Sequence, residues 1–175
     1  MGEWGDINEV LIDAAANGDI TQVKKLLAKG VDVEAGGAAI LMAIMTGHTD
    51  VVKVLRANTE IGTAILLVNA VEGQTDTLRV LLANGADVKA RDKNGTTALM
   101  MAAWEGHTAT VEALLAQGAD VKARDEDGMT ALLGASIKGH TDTVRVLLEK
   151  GADVNARRDK DGVTALILRI DTLPP

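Results

Sequence analysis

A four-residue phrase recurs along this chain at a fixed interval. Gly85-Ala86-Asp87-Val88, Gly118-Ala119-Asp120-Val121 and Gly151-Ala152-Asp153-Val154 begin 33 residues apart. A second marker keeps the same period: Gly73-Gln74-Thr75, Gly106-His107-Thr108 and Gly139-His140-Thr141. Self-similarity at this spacing means a stacked repeat array, because a unit of that size cannot bury its apolar face alone. A chain of 175 residues is ordinarily one or two domains. As an array it is expected to be a single elongated domain over 1–175, an all-α repeat solenoid. Such an array offers a long continuous surface rather than a closed pocket.

Composition narrows the chemistry. The apolar residues are mostly Ala, Leu, Val and Ile, with two Trp (Trp4, Trp104) and no Phe or Tyr, so the core should be thin, layered and Ala-rich. A net charge of −7 disfavours a general nucleic-acid binder, which needs a basic stripe against phosphates, and disfavours docking on an anionic membrane. Without Cys there is no disulfide framework, zinc–thiolate site or thiol nucleophile. Met1-Gly2-Glu3-Trp4-Gly5-Asp6 lacks the basic flank and apolar run of a signal peptide, and Asp6 stands where myristoylation wants Ser or Thr. No apolar run approaches membrane-spanning length. The expectation is a cytoplasmic protein with no membrane partner.

Residues 92–124 read as one repeat. Asp92-Lys93-Asn94-Gly95 is a turn, and Thr97 is placed to cap a short helix, Ala98 to Trp104. Gly106 ends that helix, Thr108 is placed to cap a second one over Val111 to Gln117, and Gly118 ends it. The pattern is turn, short helix, turn, longer helix. These residues resemble the ankyrin repeat, D-x-x-G-x-T-P-L-H-x-A-A-x-x-G-H…V-x-x-L-L-x-x-G-A-D-V-N-A. Gly128 to Ala156 repeats the match with Thr130-Ala131-Leu132-Leu133, Gly139-His140, Val144, Leu147, Leu148 and Gly151-Ala152-Asp153-Val154-Asn155-Ala156.

On this resemblance the chain divides into repeats of about 5–35, 36–61, 62–91, 92–124 and 125–157, then a half-repeat or cap at 158–175. After Leu168 the small pair Ala102-Ala103 becomes Arg169-Ile170, so the last repeat is either a half-repeat cap or cut there. Two connections are short. The inner-helix glycines Gly18, Gly47 and Gly73 are 29 and 26 residues apart instead of 33. Ala35 runs straight into Gly36, and Thr59-Glu60-Ile61-Gly62 follows Asn58 where a Gly-Ala-Asp-Val phrase would begin. Five residues span about 16 Å, enough to join adjacent helices without a projecting turn. Omission of flexible loop residues from the sequence as read would leave the same gaps.

Candidate sites are few. His48, His107 and His140 share one slot. Adjacent repeats stacked about 10 Å apart cannot bring them to one metal, whose ligands lie about 2 Å from it, and the resemblance implies that they are structural turn residues. Asp125-Glu126-Asp127-Gly128 and Asp159-Lys160-Asp161-Gly162 invite a calcium reading, but position twelve from Asp125 is Ser136 rather than Glu, and these read as turns. No phosphate-cradling glycine loop occurs, and Ser136, the only serine, has no His–acid pair on its own helix. We expect no enzyme activity, no cofactor and no metal.

The family's Thr-Pro-Leu-His becomes Thr97-Ala98-Leu99-Met100, Thr130-Ala131-Leu132-Leu133 and Thr164-Ala165-Leu166-Ile167, so apolar packing should replace the hydrogen bonds of that His. The resemblance also implies a concave groove where partners dock. Two residues before each inner-helix glycine come Ala16, Met45, Val71, Trp104 and Ile137, with neighbours that include Glu105 and Lys138. Large apolar residues at a solvent-facing slot in successive repeats make a patch, and Trp is the residue most enriched at binding hot spots. The packing alternative has Met45 and Val71 between helices, with Trp104 alone outside. The finger turns, with Arg91, Lys93, Asn94, Thr96, Arg124, Glu126, Asp127 and Met129, form the polar rim. The expected function is a non-catalytic protein-interaction module for a protein partner and not for nucleic acid, monomeric with at most weak self-association. The alternative is a structural or self-assembling segment of a larger protein. A small-ligand binder or enzyme ranks behind both.

Overall fold

The computed structural model describes the backbone of residues 3–164 and the side chains of 7–164 except that of residue 59. Leu166, Leu168 and the rest of the expected C-terminal half-repeat lie outside the described residues. Among those described, the chain forms α1 (Glu3–Ala16), α2 (Ile20–Leu27), α3 (Val33–Met45), α4 (Thr49–Ala57), α5 (Thr59–Val71), α6 (Thr75–Ala83), α7 (Ala98–Glu105), α8 (Thr108–Ala116), α9 (Ala131–Lys138) and α10 (Thr141–Glu149). No strand occurs among the described residues; the only β pairing there is two isolated bridges, Arg91 with Thr97 and Arg157 with Thr164. The all-α repeat class expected from the turn–helix–turn–helix pattern and the resemblance is the class observed. Contacts divide the chain into two compact units, Met1–Ile65 with Ala83–Asp87 and Leu66–Leu82 with Val88–Pro175.

In the first unit α1 packs on α3 and α2 on α4, giving an inner and an outer layer. Leu11, Ala15, Val23, Ala39, Ala43, Val51 and Leu55 fill the space between them. The two short connections are closed by helix rather than by loop. Val33 to Ala35 form the first turn of α3, and Thr59 to Gly62 the first turn of α5. The repeat boundaries drawn at 35/36 and 61/62 therefore fall inside helices.

Each junction has its own polar fixture. Asp32, extended at the N-cap of α3, accepts a hydrogen bond from the Asn8 amide (2.6 Å) and donates its own backbone N–H to Asn8 Oδ1 (3.2 Å). Asn58 alone separates α4 from α5, and its Oδ1 accepts from the Ile61 N–H at 3.3 Å, satisfying one orphan donor of the helix start. Arg56 donates to the Asn84 carbonyl. Close approach follows from Gly36 and Gly37: a Cβ at Gly36 would sit 2.7 Å from the Ile61 side chain, and one at Gly37 3.1 Å from Ile65.

In the second unit α7 packs on α9 and α8 on α10, again in two layers. Leu99, Ala102, Ala103, Leu114, Leu132, Leu133 and Leu147 are almost wholly buried. Met100 and Leu133, in the slot of the family's His, are both in this core, so apolar packing does replace its hydrogen bonds. Thr97 and Thr130 cap α7 and α9 through their hydroxyls, which accept from Met100 N–H (3.3 Å) and Leu133 N–H (3.2 Å). Thr108 corrects the expectation for the second helix. His107 is the N-cap of α8, without a side-chain cap bond, and Thr108 is the first helical residue. Its hydroxyl pairs instead with the buried Thr143 at 2.8 Å, as Thr75 pairs with the buried Thr110 at 2.7 Å. These hydroxyl pairs tie successive outer helices, a stronger demand on the side chain than its own helix end.

Candidate functional site

The inner helices of the second unit end in a repeated latch. His107 Nε2 lies 2.8 Å from the Val71 carbonyl and His140 Nε2 2.9 Å from the Trp104 carbonyl, the ring N–H donating to each. Each imidazole thereby satisfies a carbonyl that the C-terminus of an α-helix leaves without an intrahelical partner. The ring also lies flat on the glycine that ends the helix. At Gly106 (φ 78°) a Cβ would be 2.5 Å from His140 Nδ1, so both backbone angle and contact demand glycine there. His48 makes the matching approach to Gly18 in the first unit. These contacts give the histidine slot the structural role that the resemblance implied.

These latches hold Val71 and Trp104, and Ile137 stands at the equivalent end of α9 without one; all three are half-buried, next to exposed Glu72, Glu105 and Lys138. The Trp104 ring rests against α9. A Cβ at Gly134 would come within 3.3 Å of its Cε3 atom, and Lys138 Nζ sits 4.9 Å from the ring centroid, within cation–π range. Gly134 and Lys138 occupy successive turns of α9, so the indole is cradled on one side. Trp104 is therefore not a free surface residue, and removing it also costs stability, about 1 kcal/mol. In the first unit Met45 ends α3 and is 80% exposed.

The structure adds a row that the sequence reading missed. Residues three earlier on each helix share the same face, and these are Val68, Met101 and Gly134 beside Val71, Trp104 and Ile137. Val68 is 47% exposed and Met101 half-buried. The face is two residues deep and apolar.

A family model described as "Ankyrin repeats (3 copies)" matches residues 11–92, 66–158 and 123–170. The chain belongs to the ankyrin repeat family. Ankyrin repeats are generally protein–protein interaction modules and typically not enzymes. No helix among the described residues is long and apolar enough to cross a membrane.

The ankyrin fingers precede α7 and α9 directly. In the first, Asp92 Oδ1 accepts from the N–H groups of Asn94 (2.9 Å) and Thr96 (2.8 Å). In the second, Asp125 Oδ1 does the same for Asp127 (3.0 Å) and Met129 (2.8 Å), so this carboxylate serves its own turn. The fingers are joined to one another. Glu126 N–H donates to the Asn94 carbonyl (3.0 Å) and Asp159 N–H to the Asp127 carbonyl (2.9 Å). Arg91 donates to the Arg124 carbonyl; Arg124 donates to the Arg157 carbonyl and pairs with Asp159 at 2.8 Å. Arg91 and Arg124 thus brace the row from within. Lys93, Asn94, Glu126 and Asp127 remain exposed at the fingers, with Thr96 and Met129 half-buried.

The third finger has one more residue between its arginine and its glycine, and Arg158 stands where the others have the turn aspartate. Asp161 takes over that role, accepting from Val163 N–H at 3.2 Å. The hydrogen bond from Arg158 holds the Asp161 carboxyl below the usual aspartate range and Arg158 above its own ordinary value. Ser136, the only serine, donates its hydroxyl to the Leu132 carbonyl at 2.7 Å and is absorbed by its own helix.

Proposed function

We propose that this ankyrin chain is a non-catalytic module that binds a partner protein on the inner-helix face of its second unit, with the fingers as a polar rim. Trp104 is the anchor, with Val71 and Ile137 beside it and Glu105 and Lys138 at the helix ends. Lys93, Asn94, Thr96, Glu126, Asp127 and Met129 meet the partner from the fingers. Met45, exposed on the first unit, is a further contact of the same kind. The observation that carries this reading is the Trp104 ring, seated against Gly134 and Lys138 and only half-buried. A rigid, partly exposed indole offers contact area at low entropic cost, which is what a hot spot requires. The negative charge and absence of cysteine suit a cytoplasmic monomer that does not bind nucleic acid.

Affinity capture by the intact protein, compared with Trp104→Ala and with Lys53→Glu on the outer helix α4, tests this reading. A partner retained by Lys53→Glu and lost by Trp104→Ala supports it. A partner lost only by Lys53→Glu moves binding to the outer layer and ends the proposal. Light scattering at rising concentration checks the oligomeric state, and a growing mass favours the self-assembling alternative.

A further inference from the structure

We infer that the occupant of this face is an amphipathic α-helix of about four turns whose apolar stripe is flanked by Lys and Arg. This inference rests on the proposed function and specifies the partner.

An extended segment laid on a protein needs a strand edge to take up its N–H and C=O groups, since leaving them buried and unpaired is costly. No such edge exists among the described residues. The finger amides that could offer one are consumed within the row: Glu126 N–H by Asn94, Asp159 N–H by Asp127, Asp92 N–H by Thr96, Asp125 N–H by Met129. What remains is a side-chain surface of Val68, Val71, Met101, Trp104 and Ile137. A helix brings its backbone bonds already made and presents only side chains, so it is the ligand this surface accommodates.

Size follows from spacing. Packed helices lie about 10 Å apart, so crossing α5, α7 and α9 covers about 20 Å. At 1.5 Å per residue that is about 13 residues of helix. Charge selects the flanks. The exposed side chains bordering the face include the carboxylates of Glu72, Glu105, Glu126 and Asp127 against the cations of Lys93 and Lys138. Lys138 lies over Trp104 and Arg124 pairs with Asp159, while Arg91 keeps its charge as it donates to the Arg124 carbonyl. The carboxylates of Glu72, Glu105, Glu126 and Asp127 against Arg91, Lys93 and Lys138 leave a small excess of negative charge, which favours a basic partner over an acidic one.

The test is selection of a displayed library of random 16-residue peptides on the intact protein, repeated on a Val68→Asp/Trp104→Ala double variant whose fold is verified by circular dichroism. The expected winners carry apolar residues at i, i+3 or i+4, and i+7, with net positive charge. They should gain helicity on binding and lose at least 10-fold in affinity on the double variant. A proline at the centre of a winning peptide should also cost at least 10-fold, and substituting Glu for its Lys and Arg a similar factor. Winners that are extended, proline-tolerant or acidic overturn the helix inference, while their loss on the double variant would leave the interaction reading standing. Winners unaffected by the double variant, or no enrichment over it, sink both.

Discussion

The two compact units join their repeats differently, and one glycine position shows how. Counting back from the glycine that ends each inner helix, the same slot is Gly36, Gly62, Gly95 and Gly128. In the second unit Gly95 and Gly128 sit in finger turns at φ 79° and 77°. In the first unit Gly36 and Gly62 are helical, inside α3 and α5, and neither has a positive φ. The missing residues of the short repeats are thus absorbed by winding the remaining finger residues into helix: α3 and α5 have 13 residues, α7 and α9 have 8. Stacking of the helix pairs survives because it depends on the two layers, not on the connection. What is lost is the projecting row of turns, which is why the proposed polar rim is confined to the second unit.

Substitutions at this one slot should separate the two regimes. The largest effect is expected at Gly36→Val, which drives a branched side chain into the buried Ile61; urea unfolding should show a loss of about 3 kcal/mol. An effect below about 1 kcal/mol would mean that α3 and α5 are not in close contact there. Gly128→Ala should cost about 2 kcal/mol, from the left-handed backbone and from contact with the Arg124–Asp159 pair. Its signature is local: hydrogen exchange should quicken at the Glu126 and Asp159 amides while Leu55 stays protected. Gly62→Ala should change stability by no more than about 0.5 kcal/mol, since the gain in helix propensity is offset by a 3.3 Å approach to the Arg56 carbonyl. A loss there as large as at Gly128 would contradict the helical assignment of the slot.

The smallest effect concerns the third finger. Because the Asp161 pKa is lowered in the folded state, the pair with Arg158 contributes above the unfolded pKa and its contribution is lost as pH falls through the folded one. The group is exposed, so salt screens the effect. An NMR titration should place Asp161 below the usual aspartate midpoint, and Arg158→Gln should return it toward that midpoint. An unchanged midpoint would show that the pair is not populated in solution.

Much of this was legible in the residues. The 33-residue period, the Thr97 and Thr130 caps and the helix-ending glycines follow from local chemistry and appear where expected. The short junctions were harder to read, because alignment to the period hides a local signal: Asp32 followed by Val33-Glu34, and Asn58 followed by Thr59-Glu60, both begin a helix in the ordinary way. Thr108 was misread because its partner, Thr143, is 35 residues away. The second apolar row carries no marker of its own in the period, although Val68 and Met101 stand three residues before Val71 and Trp104. The seat of Trp104 had a faint sign in Gly134, where the preceding repeats carry Met42, Val68 and Met101. A small residue beside a large one marks a side chain lying across the repeat boundary, but only the stacking register says which.

The central claim is that the Trp104 face is where this protein binds. Its most direct test is the affinity of a purified captured partner for Trp104→Ala, measured by calorimetry on protein verified as folded. The account predicts a loss of about 2 kcal/mol or more, roughly 30-fold in Kd. An unchanged Kd with the fold intact would contradict it.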